Sequence, residues 1–298
     1  MEVNLDRFIY GTASMGMPDY GINNQGALDE SKLSALKKII ANGISRLDVA
    51  KSYGISEDLI GTYNTQEKLD KVWISTKIGG IDLTQRSQIE RNIFKSTLDS
   101  LKRMNVDIID LIYLHQNNIE IFSDELVINC LLALKQNGLV KEIGVSIYSA
   151  DEVRRINSLK CYDWLQIPVN ICDTSLFNIV DSNIQIAARS IFLQGLIFIK
   201  NIEIIRKSIS EAEDVYNYLV RCKYLASREN ISIESLAISY IYSKKRIDNI
   251  IIGSKHLLSS SSIADLVFNL SPDTIEELDC MSREQKKWSN PKNWNNCN

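Results

Sequence analysis

Leu47-Asp48-Val49-Ala50-Lys51-Ser52-Tyr53-Gly54-Ile55-Ser56-Glu57-Asp58-Leu59-Ile60-Gly61 is the stretch on which the reading of the fold turns. A short apolar run ends in an acid, a tyrosine follows beside a glycine, and a serine then opens a helical pattern with acids in its first turn. This is the layout of a strand, a short loop and a helix. It lets a carboxylate at a strand tip and a phenol in the next loop face one cleft. Alone, the pair identifies no chemistry, because any α/β protein offers an aspartate near a strand end.

Outward from this stretch the chain alternates short apolar runs with longer segments of helical period. Phe8-Ile9-Tyr10 before Gly11 reads as a first strand. Ser31 to Asn42 reads as a helix, with Leu33, Leu36, Ile39 and Ile40 on one face and Gly43 at its end. Leu47 to Ala50 is a second strand and Val72 to Thr76 a third, followed by a helix from about Ser87 to Met104 that opens with a Ser87…Glu90 capping pattern. Ile108 to Leu114 is a fourth strand, and its nearly unbroken apolar run predicts burial on both faces, as parallel sheets require.

The second half repeats the rhythm. A helix from Asp124 to Gln136 closes on Asn137-Gly138, Val140 to Ile147 is strand five, and Ser149-Ala150-Asp151-Glu152 is a capping box for the next helix. Strands six and seven are Trp164 to Ile171 and Ile184 to Phe192. Glu211 to Glu229 and Ile233 to Tyr242 read as helices, Asn249 to Ile252 as the eighth strand, with helices after Ser259 and after Thr274. Eight strand-then-helix units without a linker predict one closed (β/α)8 TIM barrel, a single α/β domain over residues 1–298. The tail from about Ser282, with Trp288 and Trp294, fits none of the units and either covers the substrate side or hangs free. A doubly wound open sheet is the alternative, but Gly11-Thr12-Ala13-Ser14-Met15-Gly16 does not spell G-x-G-x-x-G. No Gly-Lys dipeptide offers a P-loop, and Gly144-Val145-Ser146-Ile147-Tyr148 lacks the second glycine of a nucleophile elbow.

Lys and Arg number 34 against 37 Asp and Glu, so the chain presents no polycation for a phosphate backbone, and nucleic acid is not an expected partner. Six cysteines form no C-x-x-C pair. Residues Met1 to Arg7 lack the apolar core of a secretory leader, and no run reaches the length of a membrane span. The expectation is a cytoplasmic protein with reduced thiols and no membrane partner.

In a barrel of this kind the strand C-termini and the loops after them build the site. Strand two supplies Asp48 and its loop Tyr53, strand three ends in Lys77, strand four in His115, strand five in Ser146, and strand six carries Gln166 and Asn170. The histidine stands out because the chain has only two, His115 and His256. Singly, each residue has an ordinary structural explanation. Four titratable groups at three successive strand ends point instead to a working site.

At this point the sequence resembles the aldo-keto reductase superfamily, over nearly the whole chain from Gly11 to about Phe268. The matching stretches are Leu47 to Gly54 with Glu57 after it, Ile74 to Lys77, Asp110 to His115, Gly138 to Ser146, and Ile250 to Lys255. The resemblance implies reduction of a small-molecule carbonyl by hydride from a nicotinamide cofactor, NADPH or alternatively NADH, with Asp48, Tyr53, Lys77 and His115 as the catalytic tetrad. The chemistry suits those residue types. The alkoxide left by hydride delivery must be protonated, and an ordinary phenol with a pKa of about 10 is a poor acid at neutrality. A neighbouring ammonium lowers that pKa, which assigns Tyr53 as acid and Lys77 as its tuner, with Asp48 keeping the lysine charged. His115 would orient the carbonyl and donate to its oxygen.

The resemblance further implies that Ser146, Gln166 and Asn170 hold the carboxamide of the nicotinamide. Ser190-Ile191-Phe192-Leu193-Gln194-Gly195-Leu196 matches the pyrophosphate-side loop after strand seven, and Gly253-Ser254-Lys255 the start of the loop after strand eight. Two departures stand out. Arg189 occupies the position where many relatives place an aromatic ring under the nicotinamide, and a cation there would disfavour the oxidised, positively charged cofactor. Ser259 and Ser262-Ile263 replace the longer polar residues that grip the adenosine end, which leaves NADPH against NADH open and lets the serines act merely as a helix cap. The loop after strand one (Met15 to Ala27), the region Gln116 to Ser123 and the tail are the expected substrate walls. Phe192-Leu193-Gln194-Gly195 after Arg189-Ser190 is similar to reductases found with sugar-modifying enzymes and hints at a keto-sugar or nucleotide-sugar substrate. Two other readings remain open: a cofactor-binding regulatory barrel without significant turnover, and a lyase using Lys77 to form a Schiff base.

Overall fold

In the computed structural model, which describes residues 2–17, 32–67, 72–253, 262–283 and 286–294, eight parallel strands pair in chain order and the first closes on the eighth. They are β1 (Phe8–Gly11), β2 (Arg46–Asp48), β3 (Trp73–Ile78), β4 (Ile109–Leu114), β5 (Val140–Ser146), β6 (Trp164–Pro168), β7 (Gln185–Arg189) and β8 (Asn249–Ile252). The helices are α1 (Ala13–Gly16), α2 (Lys32–Ala41), α3 (Ser56–Glu67), α4 (Arg86–Met104), α5 (Ile119–Phe122), α6 (Glu125–Gln136), α7 (Ala150–Leu159), α8 (Ile202–Ser208), α9 (Ala212–Arg228), α10 (Ile233–Ser243) and α11 (Pro272–Ser282). The expected (β/α)8 barrel is the fold.

Local chemistry sets the helix starts. The Asp124 carboxylate accepts from the N–H groups of Leu126 and Val127 ahead of α6, and both halves of the Ser149/Glu152 capping box are formed ahead of α7. The Ser87…Glu90 pattern does not cap α4. Asp82 accepts from the Thr84 N–H, a 3₁₀ turn Leu83–Gln85 forms first, and Ser87 falls inside the helix that follows. The last helix starts at Pro272, earlier than Thr274, because Ser271 accepts from the Thr274 N–H and proline suits the first turn.

The strands end where their chemistry stops them. β6 stops at Pro168, well short of Ile171, and Asn170 and Asp173 form an isolated antiparallel bridge beyond it. β7 stops at Arg189 because Ser190 turns into the left-handed region at φ 59°. Residues 254–261 lie outside the described residues, and the described part of the stretch after Ser259 is not the α-helix expected there. From Ser262 the chain makes a 3₁₀ turn, Ile263–Leu266, capped by the Ser262 hydroxyl.

Two cores hold the molecule. The larger lies between strands and helices, and a smaller cluster of Ile9, Leu111, Tyr113, Trp164, Ala187 and Ile251 fills the inside of the cylinder. Side chains alternate along each strand, so the inward set of β3 is Trp73, Ser75 and Lys77, and that of β6 is Trp164 and Gln166. The pairing register agrees, matching Asp48 with Ser75, Lys77 with Tyr113, and Ser146 with Gln166. Gly144 makes room for the packed rings: a Cβ there would lie 2.7 Å from the Trp164 carbonyl oxygen and 2.8 Å from the Tyr113 ring. Going up the cylinder, the inward positions change from apolar to polar, and that change builds the site.

The described part of the tail packs down. Trp288 and Trp294 are each only 5% exposed, Trp294 Nε1 donates to the Trp288 carbonyl at 2.8 Å, and Trp288 meets the Tyr218 ring edge-on at 5.4 Å. No described helix is long and apolar enough to cross a membrane.

Candidate active site

β2 and β3 bring a buried ion pair to the upper mouth of the cylinder. Lys77 Nζ lies 2.5 Å from Asp48 Oδ2 and donates to the Val49 carbonyl at 3.0 Å. The other Asp48 oxygen accepts from Ser75 Oγ at 2.8 Å and from Gln166 Nε2 at 3.0 Å. Two buried charges are costly to desolvate, and this pair satisfies the requirement of good geometry with extra donors on the spare oxygen. Ser75 was not singled out from the sequence. It lies two residues before Lys77 on the same strand, so the period-2 alternation that turns Lys77 inward turns Ser75 inward as well.

Tyr53 stands over this pair. The Lys77 ammonium lies 4.6 Å from the centroid of its ring, and the His115 imidazole meets the ring at right angles with centroids 6.0 Å apart. Ser52 Oγ is 3.3 Å from His115 Nδ1. Asp48, Tyr53, Lys77 and His115, the four residues expected to form the tetrad, are therefore gathered in one place, from the ends of β2, β3 and β4. The phenol is partly open to solvent yet deep among protein atoms. Burial pushes its pKa well above the usual phenol range, the Asp48 charge adds to that, and the Arg189 guanidinium opposes both. In the resting site burial and the Asp48 carboxylate outweigh the Arg189 guanidinium.

A second buried acid steadies the same loop from outside the cylinder. Glu57, at the start of α3, is 1% exposed and accepts from Thr76 Oγ1 and from Arg103 Nε, each at 2.7 Å. It thus ties the helix after Tyr53 to the residue before Lys77 and to α4. The sequence marked Glu57 only as part of a matching stretch.

The remaining expected residues surround the mouth. Ser146 Oγ donates to Gln166 Oε1 at 3.3 Å, which orients the Gln166 amide towards Asp48. Asn170 is fully buried; its Oδ1 accepts from the Cys172 N–H at 2.9 Å, and its Nδ2 finds no acceptor among the described residues. A buried amide N–H without a partner is costly, and a carboxamide oxygen is the kind of group that would satisfy it. Here the residues fit a nicotinamide.

Arg189 does not stand alone. Its guanidinium stacks on Tyr148 at 4.0 Å and donates to the Ile147 carbonyl at 3.0 Å and to Ser190 Oγ at 3.3 Å. Tyr148 had drawn no functional reading. After Ser190 the chain passes through three left-handed residues in succession, Leu193, Gln194 and Gly195, at φ 47°, 51° and 93°. Two of these are not glycine, a strain that tends to collect at ligand-binding loops. The Phe192 ring is buried and packs against Phe198, with centroids 5.4 Å apart. Gly253 follows β8, and Ser254, Lys255 and Ser259 lie outside the described residues. Gln116 exchanges hydrogen bonds with the main chain of Ile81 at 2.7 and 3.1 Å, which pins the start of one expected substrate wall. A separate cleft of ≈ 730 Å³, lined by Phe198, Lys200, Lys223 and Ser232 among others, contains none of the tetrad.

The chain is 29% identical over 163 residues to "Probable aldo-keto reductase 1" of Glycine max, covering 53% of this chain and 46% of the relative. It is 31% identical over 139 residues to D-arabinose 1-dehydrogenase of Saccharomyces cerevisiae, covering 44% and 42%. The matched stretch thus spans just under half the length of these curated relatives. Among solved structures, a glycerol dehydrogenase from Gluconobacter oxydans superposes with a TM-score of 0.71 at 20% identity, over 94% of this chain and 92% of its own, a likeness of fold. Residues 7–283 match the profile of the Aldo/keto reductase family, and the chain belongs to that family.

Proposed function

We propose that the protein reduces an aldehyde or ketone to an alcohol with a nicotinamide cofactor, NADPH in first place and NADH as the alternative. The observation that carries this reading is the Lys77 ammonium, clamped by Asp48 at 2.5 Å and lying against the Tyr53 ring. When bound, the reduced nicotinamide supplies the hydride. Tyr53 Oη supplies the proton, and a phenol held above its usual pKa has that proton in place beforehand. Lys77 and Arg189 favour its release as negative charge appears on oxygen. His115 donates to the substrate oxygen, a contribution of about 3 kcal/mol at comparable positions. Asn170 Nδ2, Gln166 and Ser146 would hold the carboxamide; the main chain from Ser190 to Gly195 and the loop from Gly253 would receive the rest of the cofactor.

A sugar-like substrate agrees with the yeast relative, whose name specifies D-arabinose. We infer a keto-sugar or nucleotide sugar, handled in a reducing cytoplasm that suits the free thiols of Cys130, Cys161, Cys172, Cys222 and Cys280. The Schiff-base alternative fares worse. The Lys77 amine is fully buried and already bonded to Asp48 and the Val49 carbonyl, an arrangement that suits a fixed partner of the carboxylate better than an amine open to a substrate carbonyl.

Fluorescence titration with NADPH and NADH, followed by loss of cofactor absorbance with a carbonyl panel that includes keto-sugars, tests the proposal. Turnover that disappears in Tyr53→Phe while cofactor binding persists is the expected result. Cofactor binding without turnover on any carbonyl would favour a regulatory barrel, and borohydride trapping of substrate on Lys77 would favour the lyase.

A further inference from the structure

We propose that the C-terminal tail is a latch on the cofactor cradle, with Ser289 as a positioning residue that acts through Asp173 on Asn170. The proposal rests on the reading that Asn170 holds the carboxamide.

The loop that carries Asn170 has almost no structure of its own. Beyond β6 its only ladder is the bridge between Asn170 and Asp173, with N–H to carbonyl distances of 3.0 and 3.1 Å. Its next residues are held by groups from later in the chain. The Tyr218 hydroxyl of α9 donates to the Ile171 carbonyl at 2.8 Å. Lys286 Nζ, anchored on the Met281 carbonyl at 2.6 Å, reaches the Cys172 carbonyl at 3.4 Å. Thr174 N–H donates to the Ser282 carbonyl at 2.9 Å.

Asp173 is the centre of this grip. Its Oδ1 accepts from the N–H and hydroxyl of Ser175 at 3.0 and 2.7 Å, and its Oδ2 accepts from Ser289 Oγ at 2.8 Å. The Ser289 hydroxyl also lies 2.7 Å from the Lys286 carbonyl, but a carboxylate is the stronger acceptor. Ser289 is 1% exposed and Asp173 5%, so water is a poor replacement for the bond. The tail is itself a stiff anchor, since Trp288 packs on Tyr218 and Trp294 is bonded to Trp288.

The consequence follows from covalent geometry. The Asn170 side chain is aimed by the Cys172 N–H and its main chain by Asp173, so the direction of the unpaired Nδ2 is fixed by where Asp173 is held. Removing the Ser289 hydroxyl leaves a buried carboxylate oxygen without its donor, and the loop must move to find another. The cost appears at the nicotinamide end of the site.

Ser289→Ala, Ser289→Thr, Asn170→Ala and the Ser289→Ala/Asn170→Ala double variant, each titrated with NADPH and checked by thermal melting, test the latch. Ser289→Ala should weaken NADPH binding about tenfold. The KM for the carbonyl and the pH profile should stay unchanged, and threonine should restore binding. In the Asn170→Ala background the same substitution should cost almost nothing, since contacts that act through one another do not add. Asp173→Asn is the independent variant and should reproduce the pattern. Asn170→Ala binding NADPH like the wild type removes the cradle reading and the latch together. Loss on Asn170→Ala with no loss on Ser289→Ala or Asp173→Asn, or an undiminished Ser289→Ala effect in the double variant, overturns the latch and leaves the cradle standing.

Discussion

Gly16 sits so close to Tyr53 that a Cβ at Gly16 would lie 1.6 Å from the Tyr53 carbonyl oxygen. Gly54 is the other half of the contact, at φ 55° and with its own Cβ position 2.4 Å from the Gly16 carbonyl oxygen. The end of α1 thus clamps the loop that presents the phenol. Gly16→Ala should move that loop by enough to lower kcat/KM about a hundredfold, and should cost about 1–3 kcal/mol of stability. Steady-state kinetics and urea melting check this, and wild-type kinetics in a folded Gly16→Ala protein would contradict it.

Asp48→Asn should be among the more damaging single changes. It strips the counter-charge from a buried ammonium, at a cost of about 3–5 kcal/mol. Adding Lys77→Met should restore part of that stability, because the orphaned charge goes with it, while activity stays lost. Chemical denaturation of the two singles and the double gives the coupling directly. Equal stability of Asp48→Asn and the double variant would mean the pair is not an ion pair in solution.

Arg189 brings a second cation to the mouth, fixed on Tyr148 and the Ile147 carbonyl. Arg189→Tyr should tighten oxidised cofactor relative to reduced, because it removes a positive charge that disfavours an oxidised pyridinium. Calorimetric titration with both forms measures the ratio; an unchanged or opposite ratio would refute the charge argument. The same substitution should slow reduction, since the guanidinium is the cation that draws the Tyr53 pKa down.

Alkaline pH should unfold the protein by a definite route. Burial pushes the Tyr10 phenol and the Cys222 thiol up to about 12, and Tyr113, Tyr162, Tyr240 and Cys172 are shifted in the same direction. The unfolded chain releases these protons first, near the ordinary values of 9.0 for thiols and 10.0 for phenols. Above about pH 9 the native state therefore binds more protons than the unfolded one, and stability falls as pH rises, by up to about 1.4 kcal/mol per pH unit for each group. The urea midpoint should be flat near neutrality and drop steeply above about pH 10. A flat midpoint through that range would show that these groups are not buried in solution.

Much of the architecture could be read from the chain because each strand announces itself by an apolar run that turns polar at its tip. Asp48, Lys77, His115, Ser146 and Gln166 all stand at such tips. What was not legible depends on closure of the cylinder. Gln166 reaches Asp48 across 118 residues of sequence, and nothing local to either predicts the bond. The same holds for Arg189 stacking on Tyr148 and for Ser289 meeting Asp173. The Ser87 misreading is of another kind, since two overlapping cap signals compete and Asp82, which comes first, wins. Burial of Tyr53 was likewise not legible, because spacing reveals which charges are near but not how much water is excluded.

The alternation in β3 has a last consequence. Ser75 and Lys77 face the bore, while Thr76 between them faces outward to Glu57. Inserting or deleting one residue below this point would present a threonine methyl and hydroxyl to the reactants and drive an ammonium into the oily layer beneath the helices. Such a cylinder can lengthen its rim freely as lineages diverge, but each stave has only one permissible frame.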